Sequence, residues 1–432
     1  MHKESKLEIY NDRSVLYVGE EKHIYIEGTQ SKEAKERYKS IVKQLEQGYF
    51  DNFVSNAISS FEREVEISEE AVQNLDSLVD SITSEVGRAV VALSVMQLLL
   101  KCMNPEQSIR LHKGGSSGSN FGWKEGISMR SLDKRFITPV LRKYDLIKLN
   151  NDGFMMTRTL AENYPYSSLY KAAIRGQRES WMYVLNAVES LELEPKDALT
   201  YCIRRLFSKT EEFNNLTLQC LEILNEKTDS FHTLEKSFSF ISDWVESSDY
   251  SARIFEIALH CVFHFPYEKG LIDGELKPLS QMRSANKKHK NIGDIEIVSP
   301  LNDRVVFQSW DAKYGKPYLR DELEELADKL ETQTSVSIAG FIVNTQPQLD
   351  ASTKHRLEEL NAQFGIEIKI LSFHEWIYEI YKQFEELDEE TFCWNWIFNI
   401  LKSLGQNKRD IAPIDEPCNL WMNELYEKLN NL

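Results

Sequence analysis

Residues 293–316 read GDIEIVSPLNDRVVFQSWDAKYGK, and no other stretch limits the fold as strongly. IGDIEIVS alternates with a period of two, the turn SPLNDR follows, and VVFQSWDAKYG forms a second such run. A period of two belongs to strands, not helices, so the stretch predicts two strands joined by a turn. Downstream the pattern switches back and forth. RDELEELADKLET reads as helix, SIAGFIVN as strand, STKHRLEELNAQ as helix, IEIKILS as strand and FHEWIYEIYKQF as helix. Strands alternating with helices predict an α/β domain.

The rest of the chain follows other periods. LEIY, SVLYVG and HIYIEG within 7–27 predict short strands, and 31–100 is helical by its three- and four-residue spacing, with Ser68 ahead of Glu69 and Glu70 as a helix start. The apolar run AVVALSVMQLLL (89–100) is too short to span a bilayer and carries Ser94 and Gln97, so it predicts a buried helix and no membrane association. Residues 165–245 are helical again, and FCWNWIFNILKSLG near the end predicts a buried or dimer-forming helix. At 432 residues the chain exceeds a single small core. The expected fold is a multidomain α+β chain. Residues 1–100 form N-terminal strands and helices, 101–245 a recognition and helical region, 246–385 the α/β domain, and 386–432 C-terminal helices.

Charge narrows the partners. The formal net charge of −17 argues against a protein that coats nucleic acid indiscriminately. Yet residues 109–158 hold ten Lys/Arg against four Asp/Glu, and 277–290 hold five Lys/Arg and no acid. Local basic patches on an acidic chain suit contact with DNA at defined places. In SMRSLDKRFITPVLRKYDLIKLNNDGFMMTR, a basic helix precedes two strands joined by Asn151-Asp152-Gly153, the order of a winged helix with the hairpin as its wing. Arg130, Lys134, Arg135, Arg142 and Lys143 would face DNA from that helix, and Lys287 and Lys288 from the second patch. The alternative is a basic surface helix without a ligand. The Gly/Ser-rich loop at 112–128 lacks GxxxxGK[ST] and predicts a flexible connector. The six cysteines are scattered, with no zinc spacing, and the N-terminus lacks the apolar core of a signal peptide. The expected location is the reducing cytoplasm.

The chemistry gathers at the paired strands. Residues two apart share a face, so Asp294 and Glu296 lie on one side of the first strand, and Ser309, Asp311 and Lys313 on one side of the second. If the strands pair, Asp294, Asp311 and Lys313 converge. Two carboxylates can hold Mg²⁺, which activates water and offsets charge on a phosphate, while an ammonium beside it orients the attack. Glu256, set among Ile254, Phe255, Ile257, Ala258 and Leu259 on a preceding helix, could supply a third ligand. Glu296 is either a second supporting acid or a solvent residue, and His264 and His289 are weak candidates for a base. The plain alternative is an exposed Asp311/Lys313 pair with Asp294 capping a strand.

This constellation resembles the PD-(D/E)xK nucleases, the fold of most type II restriction endonucleases. Asp294 matches the first acid, Asp311-Ala312-Lys313 the D-x-K, and Glu256 the helix acid, while Gly293 stands where the pattern has proline. The resemblance covers roughly residues 250–380. It implies a central mixed sheet flanked by helices, with Asp294, Asp311 and Glu256 holding Mg²⁺ and Lys313 assisting. The implied activity is sequence-specific cleavage of double-stranded DNA by a homodimer, with a cognate DNA methyltransferase encoded nearby. Two other readings stay open: another defence or repair nuclease on the same fold, and a winged-helix regulator without catalysis.

Overall fold

The computed structural model describes residues 4–60, 65–115, 121–174, 176–279, 291–316, 318–332, 335–384, 386–405 and 416–432. The chain divides into two compact units, Met1–Glu212 and Phe213–Leu432. The first opens with the expected strands, an antiparallel sheet of β1 (Glu4–Ile9), β2 (Arg13–Val18) and β3 (Glu21–Ile26) in that order. Helices α1 (Lys32–Glu46), α2 (Tyr49–Ser59), α3 (Glu69–Asp80) and α4 (Glu85–Met103) follow. Ser68 caps α3 as its sequence suggests, its hydroxyl accepting from the Ala71 N–H. Short helices α5 (Met129–Leu132) and α6 (Thr138–Lys143) precede α7 (Arg178–Glu189) and α8 (Pro195–Glu226), within which the two units meet in sequence. Helix α4 is long and apolar enough to cross a membrane by composition, but 83% of its apolar window is buried inside the unit. Its polar groups are matched: Ser94 donates to the Val90 carbonyl, and Gln97 donates to the Ile109 carbonyl while accepting from Trp181 Nε1. The expected connector at 112–128 is tied at its stems. Gly28 N–H donates to the Gly122 carbonyl, Gln30 N–H to Gly115, and Lys124 N–H to Ile26.

The second unit is built on a five-stranded mixed sheet, β4 (Glu275–Leu276), β5 (Ile295–Ser299), β6 (Asn302–Lys313), β7 (Ser335–Val343) and β8 (Glu367–Ser372), in the order β4-β5-β6-β7-β8. The first two pairings are antiparallel and the last two parallel. Helices α9 (Leu234–Ser247), α10 (Ser251–Cys261) and α11 (His264–Glu268) precede it; α12 (Arg320–Thr332) and α13 (Ala351–Phe364) connect its parallel strands; α14 (Phe373–Lys382), α15 (Glu389–Gly405) and α16 (Cys418–Asn430) close the unit. Side-chain alternation gives the sheet two cores. Ile295, Ile297, Trp310 and Ile342 pack with α9, α10, α14, α15 and α16, whereas Val306, Ala339, Phe341 and Val343 pack with Leu323, Leu326 and Leu330 of α12 and Leu360 of α13. The 392–405 stretch is therefore core: Trp396 is buried and its indole N–H donates to the Ala258 carbonyl. Trp310 fits because Gly340 lies beneath it. A Cβ at Gly340 would meet the Trp310 ring at 2.6 Å and the Lys369 carbonyl oxygen at 2.7 Å.

The segment after the basic helix departs from expectation. Residues 147–157 carry no strand, so the hairpin read from Asn151-Asp152-Gly153 does not form; 3₁₀ turns occupy Gly153–Met156 and Arg158–Ala161. The cause is Asp133, which belongs to the core and not to the basic face. Its carboxylate accepts from the Phe154 N–H at 2.8 Å and the Thr138 hydroxyl at 2.9 Å. Gly153 has φ +58°, and a Cβ there would meet the Asp133 carboxylate at 1.8 Å. Leu146, Ile147, Leu149 and Phe154 are all buried, which a two-faced wing would not allow. Between α5 and α6 the helix widens into a π turn over Asp133–Ile137, with Thr138 N–H donating to Asp133 O, just ahead of Pro139. Burial pushes the Asp133 carboxyl up to about 6, against the hydrogen bonds it accepts. A raised acid stabilises the fold fully below its unfolded value and loses that contribution as pH rises through the folded value. In Asp133→Asn the amide oxygen can accept from the Phe154 N–H while the NH₂ donates to the Thr138 hydroxyl, so both contacts persist without the charge. Its stability relative to the wild type should climb by up to roughly 3 kcal/mol between about pH 4 and pH 6, then level off. Urea unfolding at a series of pH values measures this; a difference that stays flat across that window would contradict it.

Candidate active site

Asp294 sits just before β5, where the register sets Ile295 opposite Trp310. Its N–H donates to the Trp310 carbonyl at 2.9 Å, and its carboxylate accepts from the Ala312 N–H at 3.0 Å. The preceding residue has no room for a side chain, since a Cβ on Gly293 would meet the Trp310 carbonyl oxygen at 2.6 Å. That close approach accounts for glycine in place of proline. Asp311, on β6, is 7% exposed and its carboxyl lies close to that of Asp294. Lys313, two residues on and on the same face, has its ammonium 3.2 Å from Asp311. Beyond it the strand end is tied to β7: Gly315, at φ +72°, donates its N–H to the Asn344 side chain at 2.8 Å. The three residues expected to converge therefore do.

Helix α12 supplies two further groups. Glu322 lies 2.7 Å from Lys313 and 3.0 Å from Lys316. Lys329 donates to the Ile292 carbonyl at 2.7 Å, and its ammonium stands 3.7 Å from Asp311. The signal for them was a spacing of seven, two helical turns on one face, beside the buried stripe of Leu323, Leu326 and Leu330. Helix α10 packs against β5 and β6 and carries Glu256, which is paired with Arg253. Arg253 also donates to Glu416 at 2.7 Å.

These surroundings set the charge states. Burial raises the Asp311 carboxyl well above the usual carboxylate range and the Asp294 charge adds to it, while Lys313 and Lys329 offset part. Burial likewise raises Glu256, with Asp294 assisting and Arg253 opposing, up to about 7. Burial disfavours the Lys313 ammonium, but Asp311 and Glu322 outweigh it and hold the group above the ordinary lysine value. Lys313 is thus a fixed cation, unsuited to taking a proton.

Among the described residues, no three Asp, Glu, His or Cys side chains form a group that could hold a metal ion. The pair is what bears on a cation. Two carboxylates roughly 4 Å apart repel by about 4 kcal/mol at an effective dielectric of 20. Mg²⁺ commonly takes one or two carboxylates and leaves its other positions to water and phosphate oxygens. Asp294 and Asp311 fit that requirement, with Glu256 held nearby by Arg253.

The other candidates are placed as follows. Glu296 is 1% exposed and accepts from Lys277 at 2.9 Å and the Ile292 N–H at 2.6 Å, so it is neither a solvent residue nor aimed at the carboxylate pair. His264 contacts His260 at 2.9 Å, and His260 contacts the Lys277 carbonyl at 2.8 Å. Lys287, Lys288 and His289 lie outside the described residues. In the first unit Arg130, Lys134, Arg135, Arg142 and Lys143 are all exposed. Arg130 stands 3.7 Å from Asp152, Arg135 3.1 Å from Glu46 and Lys143 2.7 Å from Asp51, while Arg142 donates to Asn151 at 3.0 Å. Lys134 and Arg142 line a cavity of about 390 Å³ with Thr138, Pro139 and Asn151.

No protein-family model matches the chain, and a search of curated proteins returns no match.

Lys329 should matter through the carboxylate it faces. Lys329→Met is expected to lower stability by about 1–3 kcal/mol at pH 8, read as a shift of the urea midpoint. In an Asp311→Asn background the same substitution should cost less. Equal losses in the two backgrounds would mean that Lys329 acts through the Ile292 carbonyl alone.

Proposed function

We propose that the C-terminal unit is a magnesium-dependent nuclease of the PD-(D/E)xK kind, and that the chain cleaves double-stranded DNA at a defined sequence. The observation that carries this reading is the meeting of Asp294 and Asp311 beside Lys313 at the ends of adjacent strands. The sheet order and the helix α10 ahead of it agree with a restriction-endonuclease-like fold. The regulator reading rested on a hairpin at 147–157, which has no strands.

Bound at Asp294 and Asp311, Mg²⁺ would acidify a coordinated water and offset charge on the scissile phosphate. The chain's own groups do the rest. Asp294 is immobilised by the Ala312 N–H, so its carboxylate is preorganised. Lys313, locked between Asp311 and Glu322, offers a cation to the phosphate oxygens and orients the attacking water; it stays protonated throughout. Arg130, Lys134, Arg135, Arg142 and Lys143 would meet DNA phosphates. Their present partners are surface pairs worth about 0–1 kcal/mol each, which a phosphate can displace. Cutting both strands calls for a homodimer, one site for each strand. A methyltransferase encoded nearby would protect the host's own copies of the sequence.

The test is incubation of the purified chain with plasmid and phage DNA in Mg²⁺. Discrete fragments are expected, with activity abolished by EDTA and reduced at least about 10²-fold in Asp311→Ala and Lys313→Ala. A smear would replace sequence-specific cutting with a general defence or repair nuclease. Equal cleavage by wild type and Asp311→Ala would overturn the nuclease assignment.

A further inference from the structure

Glu296 is a buried acid that the proposed chemistry leaves unused. It lies on β5, two residues after Asp294, with its side chain 1% exposed. Burying a carboxylate is unfavourable unless it is paired and hydrogen-bonded, and Glu296 is both. Its Oε2 accepts from the Lys277 ammonium at 2.9 Å, and its Oε1 from the Ile292 N–H at 2.6 Å. Lys277 is itself placed by the sheet edge. Leu276 of β4 lies opposite Ile297, and the Lys277 N–H donates to the Glu296 carbonyl at 2.9 Å. A carboxylate only accepts, so it can serve a backbone N–H and an ammonium at once, and its charge strengthens the bond to the backbone.

The bond to Ile292 leads back to the site. Glu296 holds the N–H of Ile292, and Lys329 holds its carbonyl at 2.7 Å. Ile292 is thus clamped on both sides of its Cα, with its own side chain buried. One residue on, Gly293 lies too close to the Trp310 carbonyl for any side chain, and Asp294 follows with its N–H on that same carbonyl. Strand β5 begins only at Ile295, so Asp294 stands on the approach to the strand, and Glu296 anchors the far end of that approach. We propose that Glu296 is a positioning residue for the cleavage reaction. Through the Ile292 N–H it fixes the backbone of 292–294, and with it the place of the Asp294 carboxylate beside Asp311. The inference rests on the nuclease reading of that pair. It adds that the pair's geometry depends on a backbone hydrogen bond made by an acid outside it.

Two double variants of equal charge and similar size test this. Lys277→Met removes the ammonium in both. Glu296→Gln then keeps an oxygen for the Ile292 N–H, whereas Glu296→Met does not. Each is compared with the wild type in Mg²⁺-dependent cleavage of the same plasmid and phage DNA. The Gln variant should keep its rate at saturating DNA within about threefold, while the Met variant should lose roughly tenfold or more. The DNA concentration giving half the maximal rate should stay unchanged in both, because Glu296 acts on the carboxylate and not on DNA binding. Hydrogen exchange of the Ile292 amide, followed without DNA or metal, should quicken in the Met variant and stay slow in the Gln variant. Glu296→Leu replaces Glu296→Met if the latter does not fold. A full cleavage rate in the folded Met variant, equal losses in the two variants, or equal exchange of the Ile292 amide would overturn the inference while leaving the nuclease reading intact. A wild-type protein that cleaves no DNA would overturn that reading, and this role with it.

Discussion

The end of the sheet depends on one register, Ile295 opposite Trp310. Because side chains alternate, a slip of one residue would turn Asp311 and Lys313 into the core and Trp310 toward the charges. The register is pinned from several directions. Gly293 allows the backbone to approach Trp310, the Asp294 N–H bonds to the Trp310 carbonyl, and the Ala312 N–H returns to the Asp294 carboxylate. On the far side the Trp310 indole occupies space that only glycine at 340 leaves open. The apolar side of β6 therefore fixes the polar side: packing of Trp310 against Trp376 and Gly340 determines where Asp311 stands.

This geometry forces like charges together in a poorly solvated place, and the remaining groups are arranged around that conflict. Lys313 and Lys329 flank Asp311, Arg253 holds Glu256, and Glu322 and Glu416 in turn hold the cations. Opposite charges alternate outward from the central pair, so few buried groups face an unmatched neighbour. The carboxylate pair itself stays unresolved: burial and mutual repulsion raise Asp311 despite two nearby lysines. A fold selected for stability alone would replace such a pair with apolar residues at little loss. Its retention is intelligible where a cation or a reacting phosphate completes the charge balance.

How much of this could be read from the sequence follows from the range of the interactions. Strand period and helix period are local, and the strands and helices of 295–382 follow them, except that the turn read over SPLNDR shrinks to residues 300–301 because β6 already begins at Asn302. Asp294, Asp311 and Lys313 followed from alternation plus one pairing. Lys329 and Glu322 needed the helix phase relative to the strand, which a spacing of seven hints at without fixing. Arg253 and Glu416 are 163 residues apart, and no local pattern joins them. The hairpin at 147–157 failed for the converse reason. Asn151-Asp152-Gly153 is a strong local turn signal, but Asp133, 21 residues upstream of Phe154, takes the N–H that a strand would have used. A buried acceptor that bonds the backbone outweighs turn propensity, because leaving it unmatched would cost more than the turn gains.

The same distinction separates the two lysines at the site. Lys313 is bound to two carboxylates, one on its own strand and one on α12, so its position is fixed by charges on either side. Lys329 is fixed by a carbonyl, that of Ile292, and its ion pair with Asp311 is the longer one at 3.7 Å. An ammonium anchored to a neutral acceptor can turn toward an arriving anion at the cost of one long ion pair. One held between two carboxylates cannot move far, and gains by staying. Under the proposed nuclease chemistry, Lys313 would take a fixed role beside the phosphate, and Lys329 an adaptable one, offsetting Asp311 until a cation took over that charge.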